Sequence, residues 1–356
     1  MTPAKSSLKN TRAAVIVIGV LVSQLGPAAG NPSRYEYFRI LMGTKMRIVL
    51  YAESQEEARE AAAAAFLRIQ QLDEIMSDYN PDSELMKLCR EAYQAARPVS
   101  ADLFRVLEQS LRFSALSRGA FDITVGPVVD LWREARRHKR LPDEEKLEQA
   151  RGCVGYKRIV LNAENRSVRL RLPCMKLDLG GIGQGYAADQ ALAVLAARGI
   201  RSALVDAGGD IAMSAAPPDR SGWRVALQKT APGVEADAED LTLSDCGVTN
   251  SGDTEQFVEL EGIRYSHIID PETGWALRDS ASVTVIAPDA TTADALATAL
   301  SVLPSNQGMR LADSQPGVAA LVLTRSGEGL RKHVSRRMRQ YLDSGQEPGA
   351  RRRNAR

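Results

Sequence analysis

The chain has 356 residues, of which 44% are apolar and 25% are charged. These values are those of an average soluble globular protein and exclude a mostly disordered chain, a coiled coil and a collagen-like repeat. The net charge is only +2, and the positive excess lies at the two ends, in residues 1–30 and 344–356. A nucleic-acid binder needs a concentrated basic face, so the mildly acidic body of the chain argues against that class.

The first thirty residues have the pattern of an export signal. In residues 1–30, three basic residues and no acid precede an apolar run at 13–22, and small residues follow at 28–30. A membrane span needs about twenty apolar residues, and this run is shorter. We therefore expect an exported, periplasmic protein with a signal peptide, or alternatively an uncleaved N-terminal segment that holds it at the inner membrane. Residues 31–343 are expected to form one domain, and 344–356 a basic disordered tail.

The four cysteines, Cys89, Cys153, Cys174 and Cys246, are far apart in the sequence. No C-x-x-C spacing occurs, so neither a zinc site nor a redox pair is indicated. An oxidising compartment would permit one disulfide, and the spacing does not say which cysteines form it.

The first part of the chain predicts a strand and several helices. Residues 46–51 read as a strand, and Ser54 with Glu57 three residues later is typical of a capping box. Apolar residues at helical spacing follow, up to an Asn-Pro-Asp sequence that ends this helix. Ser100 is a candidate cap of another helix. The highly charged residues 133–150 predict an exposed helical excursion with a break at Pro-Asp.

The second part predicts hairpins at 159–172 and 256–269, and a short strand at 176–179 that leads through a glycine-rich turn into a helix ending near residue 198. Further strands are expected at 202–206, 223–228, 282–287 and 318–324. A surface loop is expected at 229–240 and a helix at 291–303. Irregular alternation of helices and hairpins favours an α+β fold with a mixed or antiparallel sheet over a doubly wound parallel one.

The densest motif is the glycine-rich stretch 176–189. Glycines at a turn before a helix allow backbone N–H groups to approach a phosphate. Gly183, Gly185 and Ala188 also match a dinucleotide fingerprint, with Asp206 as its acidic residue, although the preceding strand is too short and polar for that fold. A tight turn that merely packs on the helix is the structural alternative.

Three side chains suggest metal and acid–base chemistry. Asp294 and Thr298 lie four residues apart on a predicted helix and so face the same way. A carboxylate and a hydroxyl are hard oxygen ligands, which suit Mg²⁺, although such a pair is also common on helix surfaces. His267, before a turn, is a candidate base or a structural histidine.

Three glycine-containing turns also carry acids. The turns at 207–210 and 251–253 either frame a ligand or only reverse the chain. In the stretch 119–127, Asp122 either holds polar ring atoms of a heterocycle or caps a turn. The sequence leaves these alternatives open.

Together these strings resemble one family, the ApbE-type FAD:protein FMN transferases. Eight strings match in the same order between about residues 40 and 325. They are Met42-Gly-Thr44, Ser77-Asp-Tyr79 with Ser83-Glu84, residues 119–127, 178–189, 206–210 and 251–253, His267-Ile-Ile-Asp-Pro271 with Thr273-Gly274, and residues 282–288 followed by 293–298.

The resemblance implies a single T-fold-like α/β domain and a Mg²⁺-dependent reaction. FMN would pass from FAD to a threonine hydroxyl of an acceptor protein, with release of AMP. The acceptor would be a membrane-bound or exported redox subunit. The alternatives are an FAD pyrophosphatase that yields FMN and AMP, a non-catalytic exported flavin-binding protein and, less favoured, a Rossmann dehydrogenase.

The resemblance also implies residue roles. His267 corresponds to the catalytic base. The metal ligands correspond to Gly181, through its carbonyl, Asp294 and Thr298. The flavin-contacting positions correspond to Met42, Tyr79, Ala120, Phe121, Asp122, Asp178, Gln184 and Ile269. Many family members have lysine where this chain has Gln184, whose amide can bond the diphosphate but brings no charge. Thr249 is assigned no role.

Overall fold

The computed structural model describes residues 31–227, 240–251, 257–278, 282–326 and 329–344. Within them the strands are β1 (Ser33–Leu41), β2 (Thr44–Ala52), β3 (Arg97–Pro98), β4 (Ile159–Asn162), β5 (Ser167–Leu170), β6 (Ala203–Ala207), β7 (Asp210–Met213), β8 (Trp223–Ala226), β9 (Asp240–Leu243), β10 (Cys246–Ser251), β11 (Phe257–Leu260), β12 (Ile263–Ser266), β13 (Ser282–Ala287), β14 (Ala319–Ser326) and β15 (Gly329–Val334). The α-helices are α1 (Gln55–Met76), α2 (Glu84–Glu91), α3 (Ala101–Leu116), α4 (Gly126–His138), α5 (Glu144–Gly152), α6 (Gly183–Ala197), α7 (Ala290–Val302), α8 (Ser305–Ser314) and α9 (Arg336–Ser344).

An eight-stranded antiparallel sheet organises the molecule, in the order β1-β2-β6-β7-β10-β13-β14-β15. Successive side chains of a strand point to opposite faces. Ile48 and Leu50 of β2 therefore join the core formed with α1, α6 and α7. Val49 between them joins a second core, on the other face, with Trp223 of β8 and Met338 of α9. This arrangement confirms the predicted α+β class.

The start of α1 shows how local signals select an element. The Ser54 hydroxyl accepts a hydrogen bond from the Glu57 N–H at 3.2 Å. The Glu57 carboxylate accepts from the N–H of Glu53, one residue before the cap, at 3.0 Å. The predicted capping box is thus present with its return bond shifted by one residue. Ser100 caps α3 as predicted, because its hydroxyl accepts from the Leu103 N–H.

Both predicted hairpins are confirmed. β4 pairs with β5, and β11 pairs with β12, in antiparallel register. The second hairpin turns at Glu261 and Gly262, which have φ angles of 53° and 74°, as a two-residue turn between twisted strands requires.

Two predicted elements need correction. Residues 176–179 do not form a strand: Lys176 makes an isolated parallel bridge with Val125 and the Asp178 N–H donates to the Ile123 carbonyl, and these two contacts do not make a continuous ladder. Residues 133–150 are helical, as α4 and α5, but they are not an exposed excursion. Ala135 and Leu147 are buried in a third core with the hairpin β11–β12, because the few apolar residues of these helices share the inward face.

A disulfide joins Cys153 to Cys174, whereas Cys89 and Cys246 are free thiols.

Among the elements that sequence patterns missed are β1, β7, α2, α8, β15 and α9. The predicted signal segment, most of the loop at 229–240, Gly252 and Asp253, and the tail beyond residue 344 lie outside the described residues. No described helix has the length and apolarity of a membrane span.

Candidate active site

A cavity of about 770 Å³ lies where strands β2, β6, β7 and β10 meet α6 and α7. Four of the predicted site residues line it: Gln184 of α6, His267 immediately after β12, and Asp294 and Thr298 of α7. The sequence places Gln184 far from the other three, so the fold brings them together.

The glycine-rich turn before α6 lies against α7. A Cβ atom built on Gly181 would lie 2.7 Å from the Thr298 hydroxyl oxygen, and one on Gly185 would lie 2.4 Å from the Ala290 carbonyl oxygen. The Gly185 N–H donates to Oδ2 of Asp294 at 3.0 Å. Glycine at these positions therefore allows α6 and the three predicted metal ligands to approach closely.

This packing bears on one of the two interpretations of the glycine-rich motif, and phosphate binding by the turn stays a prediction. Gly185 serves the close approach of two helices, as the structural alternative expected. Gly180, in the turn itself, is exposed and lines the cavity. Every ladder between the described strands is antiparallel, so the parallel βαβ context of a dinucleotide fingerprint is absent from them.

Asp294 is a buried carboxyl group in an acidic environment. It is only 5% exposed, and burial together with the nearby Asp210 raises its pKa well above the usual value. Burial also raises the pKa of Asp210, to about 7, against a hydrogen bond from the Thr249 hydroxyl, which donates to Oδ1 of Asp210 at 2.7 Å. A cation bound here would compensate this concentration of buried acid.

A third, partly buried acid fixes the start of α7. Oδ1 of Asp189, on α6, accepts from the Ala290 N–H at 2.9 Å. Its Oδ2 accepts from the N–H and the hydroxyl of Thr291. These donors belong to the first turn of α7, whose N–H groups have no partners within the helix; the N-cap Asp289 accepts from the next one, of Thr292, at 2.7 Å. Asp189 thereby locks α6 to α7 one turn before Asp294.

The donors around Asp294 fit a hard divalent cation. They are a carboxylate with a single hydrogen bond among the described residues, the Thr298 hydroxyl and the Gly181 backbone, which are all oxygen ligands of the type that Mg²⁺ prefers. Within the described ranges, no group of three or more His, Cys, Asp or Glu side chains is placed to hold a metal ion. Mg²⁺ usually keeps several waters and few protein ligands, so this small donor set suits it.

Two basic side chains of strand β2 lie in the cavity wall. Lys45 and Arg47 line it beside Gln184, and Arg47 is held by Asp206, with Nη2 donating to Oδ2 at 3.2 Å. Arg47 also pairs with Glu36 at 3.7 Å.

A second group of predicted residues lies at the outer end of the glycine turn. Met42 has a left-handed φ of 50°, and its N–H donates to Oδ2 of Asp73 at 3.2 Å. Tyr79 is 77% exposed. Oδ1 of Asp178 accepts from the Gly180 N–H at 2.8 Å, which connects this group to the cavity.

The remaining predicted flavin positions have their side chains in the protein interior. Phe121 packs edge-on against Phe113. Asp122 accepts hydrogen bonds from the N–H and hydroxyl of Thr124 and from the Tyr156 N–H, so its carboxylate forms a turn. Ile269 is buried in the third core, and Ala120 is half-buried beside Phe121. Flavin contacts at these positions stay a prediction.

Several residues of the site were not singled out from the sequence. Asp189 and Asp210 stood inside quoted motifs, but only the fold shows that both lie beside Asp294. Thr249 was assigned no role and proves to bond Asp210 within the cavity wall. Lys45 and Arg47 alternate on β2, a spacing that places both on one face of the strand, and this was the one signal that could have identified them.

Known proteins resemble this chain over most of its length. A FAD:protein FMN transferase from Treponema pallidum is 35% identical over 326 residues, which cover 86% of this chain and 90% of that protein. A FAD:protein FMN transferase from Klebsiella pneumoniae is 31% identical over 340 residues, which cover 93% and 97%.

Solved structures agree with these relatives. The flavin transferase ApbE from Vibrio cholerae superposes with a TM-score of 0.80 at 28% identity and covers 87% of this chain and 100% of its own. The ApbE protein from Thermotoga maritima has a TM-score of 0.77 at 30% identity, with 87% and 99% covered. The ApbE family model matches residues 42–322. The predicted family is confirmed: this chain belongs to the ApbE family.

Proposed function

We propose that this protein transfers FMN from FAD to a threonine hydroxyl of an acceptor protein, in a Mg²⁺-dependent reaction that releases AMP. Curated relatives in its family bear the name FAD:protein FMN transferase. The observation that carries the proposal is the shared cavity: His267, Asp294 and Thr298 line the same space, together with the glycine turn at Gly180.

Asp294, Thr298 and the Gly181 carbonyl are the residues that would hold Mg²⁺. When bound, the ion neutralises charge on the diphosphate and so assists cleavage of its phosphorus–oxygen bond. Asp294 suits this role because its buried carboxylate is costly to ionise alone and gains from a cation. Gly185 orients the carboxylate by donating to Oδ2.

In this proposal, side chains of the protein accept the proton of the acceptor threonine and bind the diphosphate. The neutral imidazole of His267 accepts the proton of the acceptor threonine. The threonine oxygen then bonds to the flavin-side phosphorus, and the bond from that phosphorus to the bridging oxygen breaks. AMP leaves with the electron pair, and FMN remains as a phosphoester on threonine. Lys45 and Arg47 lie in the cavity wall, where their charge would attract the diphosphate.

The test is incubation of the purified protein with FAD, Mg²⁺ and a candidate acceptor. We expect in-gel flavin fluorescence on the acceptor, the added mass of FMN on a threonine, and AMP in solution. His267→Ala and Asp294→Ala should each abolish transfer while circular dichroism shows an intact fold, and His138→Ala, at the exposed end of α4, should not. AMP and free FMN without a labelled acceptor would instead show a pyrophosphatase. Retained FAD without AMP would show a flavin-binding protein.

We further propose that the protein acts outside the cytoplasm on a membrane-bound or exported redox subunit. The signal-like pattern of residues 1–30 supports export. The disulfide between Cys153 and Cys174 also supports it, since disulfides persist in oxidising compartments. Fractionation of cells that express the full chain tests this, and recovery in the cytoplasm alone would contradict it.

A further inference from the structure

Arg133, on α4, lies between two carboxylates and an aromatic ring. One guanidinium nitrogen forms an ion pair with Asp78, and the other donates to Oδ2 of Asp178 at 3.1 Å. The guanidinium carbon lies 4.2 Å from the centre of the Tyr79 ring. Arg133 is 23% exposed, so these contacts form in a mostly buried setting that joins the end of α1 to the glycine turn.

On the basis of the flavin-transfer function proposed above, we propose that Arg133 is a positioning residue for FAD. Its guanidinium holds the Tyr79 ring as a stacking surface for an aromatic ring of FAD, and it holds Asp178 at the base of the turn that carries the metal ligands.

The exposure of Tyr79 supports the first part. The ring is 77% exposed, although its contact with the guanidinium orients it, so it presents an aromatic surface to solvent. Guanidinium groups stack on aromatic faces. A ring that is already oriented loses less conformational freedom when a planar ligand stacks on it, and preorganisation of this kind increases affinity.

The contacts of Asp178 support the second part. Its Oδ2 accepts from Arg133, its Oδ1 accepts from the Gly180 N–H, and its own N–H donates to the Ile123 carbonyl at 2.8 Å. Gly180 lines the cavity. The carboxylate that Arg133 holds therefore sets the position of the turn, and the turn sets the position of Gly181.

An arginine is needed for this arrangement. Asp78 and Asp178 repel each other, and two different nitrogens of one planar group bind them while its face meets the Tyr79 ring. A lysine ammonium is a compact point charge without a planar face. It can offset the two carboxylates but cannot also orient the ring.

The experiment compares FAD affinity, by flavin fluorescence titration, in the wild type, Arg133→Met, Arg133→Lys and Arg68→Met. Arg68 is a matched control: it is 22% exposed, like Arg133, and its carboxylate partner is Asp102. We expect Arg133→Met to raise the Kd for FAD about tenfold, which corresponds to about 1.4 kcal/mol. Arg133→Lys should recover stability but only the part of the affinity that depends on Asp178, and Arg68→Met should change stability but not the Kd.

A double-mutant cycle with Tyr79→Ala separates positioning from a merely structural role. If Arg133 acts through Tyr79, Arg133→Met should weaken FAD binding by only about threefold in the Tyr79→Ala background, because changes in contacting residues are not additive. An unchanged Kd in Arg133→Met, or fully additive effects, would overturn the inference. Absence of AMP release by a wild type that binds FAD would overturn the proposed reaction instead, and the Kd comparison would still judge Arg133.

Discussion

Replacement of Gly185 by alanine tests whether the close contact of α6 with α7 shapes the site. The added Cβ would lie 2.4 Å from the Ala290 carbonyl oxygen and 2.8 Å from the Asp294 Cβ. An ordinary carbon–oxygen contact is about 3.3 Å, so the helices must separate by about 1 Å at this point. Ala290 O belongs to the backbone and cannot rotate away. Overpacking typically costs 1–3 kcal/mol, and we expect a loss of about 3 kcal/mol in the free energy of unfolding.

The same displacement should impair the reaction. Asp294 and Thr298 lie on α7, whereas Gly181 precedes α6, so separation of the helices spreads the proposed metal ligands apart. A misplacement of about 1 Å can lower a catalytic rate by about 100-fold. We expect a loss of that order in kcat for AMP release from FAD, measured by chromatography, in protein that urea titration shows to be folded.

Gly183→Ala is the matched control, two residues away on the same helix. The nearest atoms to a Cβ there are at 3.8 Å, on Met42, and 3.9 Å, on Leu179, which are ordinary contacts. Its unfolding free energy should stay within about 1 kcal/mol of the wild type. Wild-type stability and wild-type kcat in Gly185→Ala would refute the idea that this contact sets the geometry of the site.

Three further outcomes are expected. Replacing Cys153 and Cys174 by serine should lower the unfolding free energy by about 3 kcal/mol, because the disulfide joins residues 21 apart. Equal melting temperatures of the wild type and this variant, both measured without reductant, would contradict this. The next outcome concerns metal-free protein, in EDTA. Burial raises the pKa of Asp210 from its ordinary value of 3.8 to about 7 in the folded state. The unfolded chain therefore ionises this acid first, and the free energy of unfolding falls as the pH rises from 3.8 to about 7. Urea titrations should show this fall in the wild type and a smaller one in Asp210→Asn, and identical slopes would speak against it. Asp189→Ala removes three hydrogen bonds from α7 and should cost about 2 kcal/mol in urea unfolding, whereas an unchanged midpoint would show that α7 needs no such cap.

Elements with short-range signals were predictable. Ser54 caps α1 because the residue that needs its hydroxyl is three positions away. Glu261 and Gly262 turn the hairpin β11–β12 because their own backbone adopts positive φ. In both cases the interacting groups are neighbours in the chain, so the pattern contains all the partners.

Predictions failed where an element depends on distant partners. Residues 176–179 look like a strand, but a strand requires a continuous ladder with a neighbour, and this segment makes only a bridge at Lys176 and a bond at Asp178. In α4 and α5 the charged residues dominate the composition, whereas burial depends on the few apolar positions, such as Ala135 and Leu147, that meet β11 and β12.

The linear order of the motifs predicted which residue types form the site. The same order of motifs also predicted the family. An acid four residues before a threonine on a helix already implies oxygen ligands on one face. Which groups accompany them depended on the packing of α6 against α7 and on strand register: Gly185 reaches Asp294 across 109 positions, and Thr249 reaches Asp210 across 39. Such contacts form because buried surfaces pack and backbone groups pair over long distances, and no local pattern contains that information.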